Sequence, residues 1–216
     1  GRFIPGYEFN LARAESSLEG LRSLLERGEV KVFGEIANQY AGIAPNDPRM
    51  EPYYALAEEF DVPVAIHLGS GPPGINYIGA KKMRIADGSA LLLEDVLNAH
   101  PRLRVSIMHY GHQKLSDTIA LMEHYPQVYV DIGGIQWYNP RPHFYRQLRA
   151  LIEAGFGKRI MFGSDQMSWP GVIQPSIDII NEAPFLSDEE KRDIFYNNAA
   201  RFLRLSKEER QRHHSL

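Results

Sequence analysis

The chain contains no cysteine, which excludes disulfides and thiolate-bound zinc and fits a reducing compartment; a cytoplasmic protein is the expectation. It has no apolar run approaching the ~18 residues that a membrane helix needs, so no membrane partner is expected. It has no basic block outside its C-terminal tail, and 24 Lys and Arg stand against 27 Asp and Glu for a net charge of −3. That balance speaks against a nucleic-acid partner. Gly1 is followed by no signal-like segment. No glycine fingerprint follows the first predicted strand, which removes the doubly wound dinucleotide folds. GSGPPG at 69–74 has the glycines of a phosphate loop without its spacing, and no helix is expected directly after it. A G-x-S-x-G elbow is missing as well, so Ser164 beside Asp165 makes no triad.

What is present alternates. Apolar residues make up 44% of 216, enough for one large core, and a single domain over 1–216 is the natural reading. Six β-rich runs occur at 2–7, 30–36, 62–69, 103–111, 128–134 and 159–165. Helical stretches separate them. Ser16 with Glu19 forms a capping pattern before Leu18, Leu21, Leu24 and Leu25, which share one apolar face. Further helices are predicted over 51–60, 90–99, 115–124, 144–154 and 174–181. Ser187 with Glu190, and Ser206 with Glu209, open two closing helices. Strands alternating with helices imply an α/β fold with a parallel sheet and right-handed crossovers.

Five of the runs finish on polar groups: Glu35, His67, His109, Asp131 and Asp165. In a parallel barrel these C-terminal ends share one rim, where active sites are built. Alternation puts Ala65 with His67, Val105 and Ile107 with His109, and Met161 and Gly163 with Asp165, each polar residue crowning an inward stripe. Each also has an ordinary explanation. His67 and His109 read singly as satisfied core histidines, Asp131 as an acceptor of loop N–H groups, Glu35 as a solvated acid and Asp165 as a helix cap. Jointly, imidazoles and carboxylates converging from separate strand ends are what a divalent cation with N and O ligands requires. His100 and His124 enter strands from the opposite rim and read as structural, His143 lies in a Pro-rich segment, and His213 and His214 lie in a basic, frayed tail. His112, just past the fourth strand, is a candidate substrate contact. Trp137 and Trp169 follow strand ends, with Tyr40, Tyr77, Tyr110 and Tyr138 in equivalent loops, an arrangement suited to a planar or aromatic small-molecule substrate.

With VAIHLG, SIMHYGH, YVDIGG, MFGSDQMSWP and NNAARFL in this order, residues 2–206 resemble the amidohydrolase superfamily. The likeness is to its amidohydrolase-related branch (family 2) of metal-dependent TIM-barrel hydrolases, which also contains aromatic-acid decarboxylases. The resemblance implies a (β/α)8 barrel and one catalytic divalent metal, zinc or another ion such as manganese. It implies His67 and Asp165 as metal ligands and His109 as the histidine beside metal and water. Glu35 sits where some relatives place an acidic ligand. Asp165 would also handle a proton, and Trp137, Trp169, Tyr110 and His112 would meet substrate. Hydrolysis of an amide, ester or lactone carbonyl by a zinc-bound water is the activity implied first. Metal-dependent decarboxylation of an aromatic or unsaturated acid is the alternative. The family's His-x-His pair is nowhere in these residues, and six strands stand for eight, matching strands three to eight. Truncation at the N-terminal end is therefore expected, and a degenerate, non-catalytic barrel is a further alternative. Open edge strands would favour a homo-oligomer.

Overall fold

A computed structural model describes residues 4–13 and 17–215. Ser16 and the start of the first predicted strand lie outside the described residues. The strands are β1 (Gly6–Phe9), β2 (Val32–Ile36), β3 (Val64–His67), β4 (Val105–Met108), β5 (Val128–Asp131) and β6 (Ile160–Met161). They form one open sheet in the order β1-β2-β3-β4-β5-β6, every strand parallel, so an incomplete TIM-barrel type of α/β sheet is what the chain builds. By contacts the chain divides into two compact units, 1–130 and 131–216.

In the first unit, α1 (Leu18–Glu26) is capped by Ser17, whose Oγ accepts the N–H of Gly20 at 3.0 Å. The expected four-leucine face narrows to Leu21 and Leu25, which are buried, while Leu18 is exposed. Helix α2 (Glu51–Glu59) lays Tyr53 against the sheet, its ring 4.7 Å from Phe9 and 6.3 Å from Phe33. Fully burying each such ring is worth about 1.5–3 kcal/mol. After β3 a one-turn helix, α3 (Ile75–Ile78), starts at Gly74, correcting the expectation that no helix follows GSGPPG. The stretch predicted as one helix from Ala90 begins as a tight 3₁₀ turn, Ala90–Leu93, and becomes α4 (Glu94–Ala99). Helix α5 (Leu115–His124) has its predicted bounds.

The second unit holds α6 (Ile135–Tyr138), α7 (Arg141–Glu153), α8 (Ile173–Asn181), α9 (Asp188–Arg192), α10 (Asn198–Phe202) and α11 (Lys207–His214). The NNAARF segment explains itself here. Asn198, fully buried, donates to the carbonyls of Gly157 at 2.8 Å and Ile160 at 2.6 Å and so clamps the entry to β6. Both predicted capping boxes form, at Ser187 with Glu190 and at Ser206 with Glu209. The tail expected to fray is instead helical, because the second box starts α11 and Tyr196 Oη lies 3.0 Å from His213 Nδ1. Among the described residues no helix is long and apolar enough to cross a membrane.

Candidate metal centre

Strand register decides which side chains face together. Val64 and Ile66 of β3 pair with Val105 and Ile107 of β4, while Ala65 and His67 pair with Ser106 and Met108. Paired residues of parallel strands point the same way, so His67 lies on the face opposite the Val105–Ile107 stripe. Simple alternation would then send His109 away from His67, contrary to the stripe predicted from sequence. The backbone resolves it: β4 ends at Met108, and His109 and Tyr110 take φ of +57° and +41°. Those left-handed values reverse the chain at once and bring the His109 ring to 5.1 Å from that of His67. Such values cost a non-glycine residue roughly 1–2 kcal/mol each. The turn is held by His112 N–H on His109 O at 2.9 Å and by Thr118 Oγ1 on Tyr110 O at 3.1 Å.

Glu35 arrives by a second irregularity. Phe33 pairs with Val64 but Ile36 with Ile66, so β2 carries one more residue than β3 across this stretch. The bulge lets Phe33 and Ile36 both stay buried on the helix-covered face, while Glu35 between them is presented with Ala65 and His67. Gly34 is required at the bulge: a Cβ there would sit 2.4 Å from the Ala65 carbonyl oxygen.

The outcome is a cluster of Glu35, His67 and His109 whose ligand atoms all lie within 4.8 Å of one another. One carboxylate and two imidazoles at that spacing suit a divalent cation. Burial, reinforced by the neighbouring His109, pushes the His67 pKa down to about 3, with its own backbone carbonyl acting weakly the other way. His67 is therefore neutral at physiological pH, the form that ligates.

In the second unit the strand expected to run to Asp165 is only two residues long. Beyond Met161 the backbone leaves the ladder, because its polar groups find other partners. Phe162 N–H goes to Ile194 O at 2.8 Å, Gly163 O accepts Gln136 Nε2 at 2.6 Å, and Ser164 O accepts Trp137 Nε1 at 3.0 Å. Asp165 is exposed, in a left-handed conformation at φ +53°, with its Oδ2 2.7 Å from where a Cβ on Gly134 would stand. Asp131 accepts the Gly133 N–H at 2.8 Å, the loop role its sequence position allowed.

A family model described as amidohydrolase matches residues 1–205. The chain belongs to the amidohydrolase family. Among solved structures it resembles a TIM-barrel protein of Bordetella bronchiseptica at TM-score 0.66 and 18% identity, over 94% of this chain and 66% of that one. A dihydroxybenzoic acid decarboxylase from a Polaromonas species, solved with manganese and the inhibitor 2-nitroresorcinol, gives 0.58 and 16% over 87% and 65%. Dihydroorotase from Campylobacter jejuni gives 0.59 and 17% over 92% and 65%. At these identities the likeness is one of fold, and the chain spans just under two thirds of these structures' lengths. No curated protein sequence matches.

Of the candidate substrate contacts, Tyr110 is fully buried, and His112 is buried with Nδ1 3.3 Å from Ser70 Oγ. Trp137 is half-buried, and Trp169 is 65% exposed with its ring edge-on to Trp137 at 6.4 Å. Tyr77 and Tyr138 are exposed. Sequence reasoning passed over Gln39, which is buried and places Oε1 3.2 Å from His67 Nδ1, and counted Tyr40 only as a loop aromatic, although its hydroxyl lies 2.8 Å from His67 Nε2. The available signal was position: both follow Glu35 within five residues, in the loop of a candidate ligand. Tyr40 also lines a cavity of about 510 Å³ with Asn10, Ile75, Lys81 and Lys82.

Proposed function

We infer that this chain is part of a metal-dependent hydrolase acting on the amide, ester or lactone carbonyl of a small molecule. The observation that carries the reading is the Glu35–His67–His109 cluster, linked through Tyr40 to a cavity sized for a small ligand. A divalent cation, zinc or manganese, supplies a lowered water pKa and polarises a carbonyl when bound. Glu35 and His67 would hold it, and His109 would ligate it or orient the reacting water. Asp165 accepts the proton and passes it to the leaving group, a role carried over from the family resemblance. Trp137 and Trp169 offer aromatic faces to a planar substrate. Decarboxylation is the second reading, favoured by likeness to the manganese-bound dihydroxybenzoic acid decarboxylase.

Two variants of the full-length protein test the assignment, with lactones, cyclic amides and aryl carboxylates as substrates. Asp165→Asn should cut turnover at least ~100-fold, the low end for losing a positioned acid–base group, with no rescue by added metal. His67→Ala should lower metal content and recover partly in excess zinc or manganese. Near-normal turnover of Asp165→Asn at saturating metal would remove Asp165 from the catalytic machinery. It is not the helix cap its sequence position allowed, since the turn and helix that follow are capped at Trp169 and Val172. Release of carbon dioxide from an aryl carboxylate, with no hydrolysis of the other substrates, would select the decarboxylase.

A further inference from the structure

Gln39 sits in the tight turn Asn38–Ala41 that follows β2, and it is buried. Its Nε2 donates to two backbone carbonyls, Gly69 O at 2.7 Å and Arg84 O at 3.1 Å. A flipped amide would turn its oxygen onto both of those carbonyls, so the orientation is settled by the partners. Its oxygen then faces His67 Nδ1 at 3.2 Å and can only accept. The proton of neutral His67 must accordingly reside on Nδ1, which leaves a lone pair on Nε2. Tyr40 Oη, 2.8 Å from Nε2, donates its proton to that lone pair.

We propose that Gln39 is a positioning residue that selects the His67 tautomer with a bare Nε2, and that the Tyr40 hydroxyl competes with a divalent cation for that nitrogen. An imidazole lone pair serves one partner at a time. Cation binding at His67 therefore requires the Tyr40 bond to break, and Tyr40, as a wall of the 510 Å³ cavity, links metal loading to the ligand space. The competition rests on the reading of His67 as a metal ligand, whereas the tautomer assignment does not.

The test uses the full-length protein. In the metal-free protein, histidine ¹⁵N spectroscopy should show His67 protonated on Nδ1 and bare at Nε2. Gln39→Met, of similar length without an acceptor, should shift His67 toward the Nε2–H tautomer and weaken zinc and manganese binding about 10- to 100-fold, as loss of a ligand's outer partner does. Tyr40→Phe should keep the tautomer and bind the same ions roughly two- to tenfold more tightly, the worth of one hydrogen bond. Loss of a merely structural tyrosine, or of one that is itself a ligand, would leave affinity unchanged or weaken it, and either result overturns the competition. His67 carrying its proton on Nε2 in the wild-type protein overturns the Gln39 assignment without needing a variant to fold. Failure of the wild type to bind either ion, with the Nδ1–H tautomer present, supports the Gln39 assignment and overturns both the competition and the metal reading.

Discussion

His67 shows how one side chain couples stability to acidity. Its pKa is near 3 in the folded protein, because burial and His109 disfavour the imidazolium, against about 6.5 in an unfolded chain. The unfolded state thus takes up the proton first. Stability from this group is complete above pH 6.5 and is lost as pH falls toward 3, at up to ~1.4 kcal/mol per pH unit. Denaturation midpoints measured in chelator from pH 7.5 to 5 should fall more steeply for wild type than for His67→Gln, which cannot titrate. Parallel curves would show that the imidazole is not held neutral by the fold. The identities of Glu35, His67 and His109 as candidates were legible in the sequence because costly polar groups followed apolar runs. The roles of Gln39 and Tyr40 were not, since a glutamine or tyrosine in a loop looks the same whether or not a buried nitrogen faces it.

At the scale of elements, the centre depends on two departures from regular strand geometry. The bulge at Gly34–Glu35 exists because Phe33 and Ile36 are both buried against the helix side, leaving one residue too many for the register. Gly34→Ala places a methyl against the Ala65 carbonyl, 2.4 Å away before any adjustment. It should cost ~1–3 kcal/mol of stability, the usual range for overpacking, and should weaken metal binding because Glu35 shifts with the backbone. A variant with wild-type denaturation midpoint and affinity would show that β2 can absorb the methyl. The second departure, the left-handed turn at His109, reversed a face assignment made from alternation alone. Helix caps were more readable: Ser187 and Ser206 act within three residues, where the pairing partners are already set by the chain.

For the molecule as a whole, a cation bound by the folded cluster and not by the unfolded chain stabilises by mass action. At 100 times its Kd the gain is about 2.7 kcal/mol, which for a chain of this size raises Tm by roughly 5–10 °C. The rise should appear with zinc or manganese, vanish with chelator, and be reduced in Glu35→Gln. An unchanged Tm in saturating metal would argue against a site formed by folding. By itself the sequence determined the alternating α/β architecture and the six parallel strands, because hydrophobic period and capping are local properties that survive without knowledge of neighbours. The family was legible separately, as a resemblance carried by the order of its motifs. Only the tertiary structure decided that β6 stops at Met161, where Ile194, Gln136 and Trp137 capture the backbone groups that would have continued the ladder. It alone decided, too, that Glu35, His67 and His109 share one face, since that depends on an extra residue in β2 and two left-handed residues after β4. Register and backbone handedness are settled by packing across strands distant in sequence, and no period along the chain encodes them.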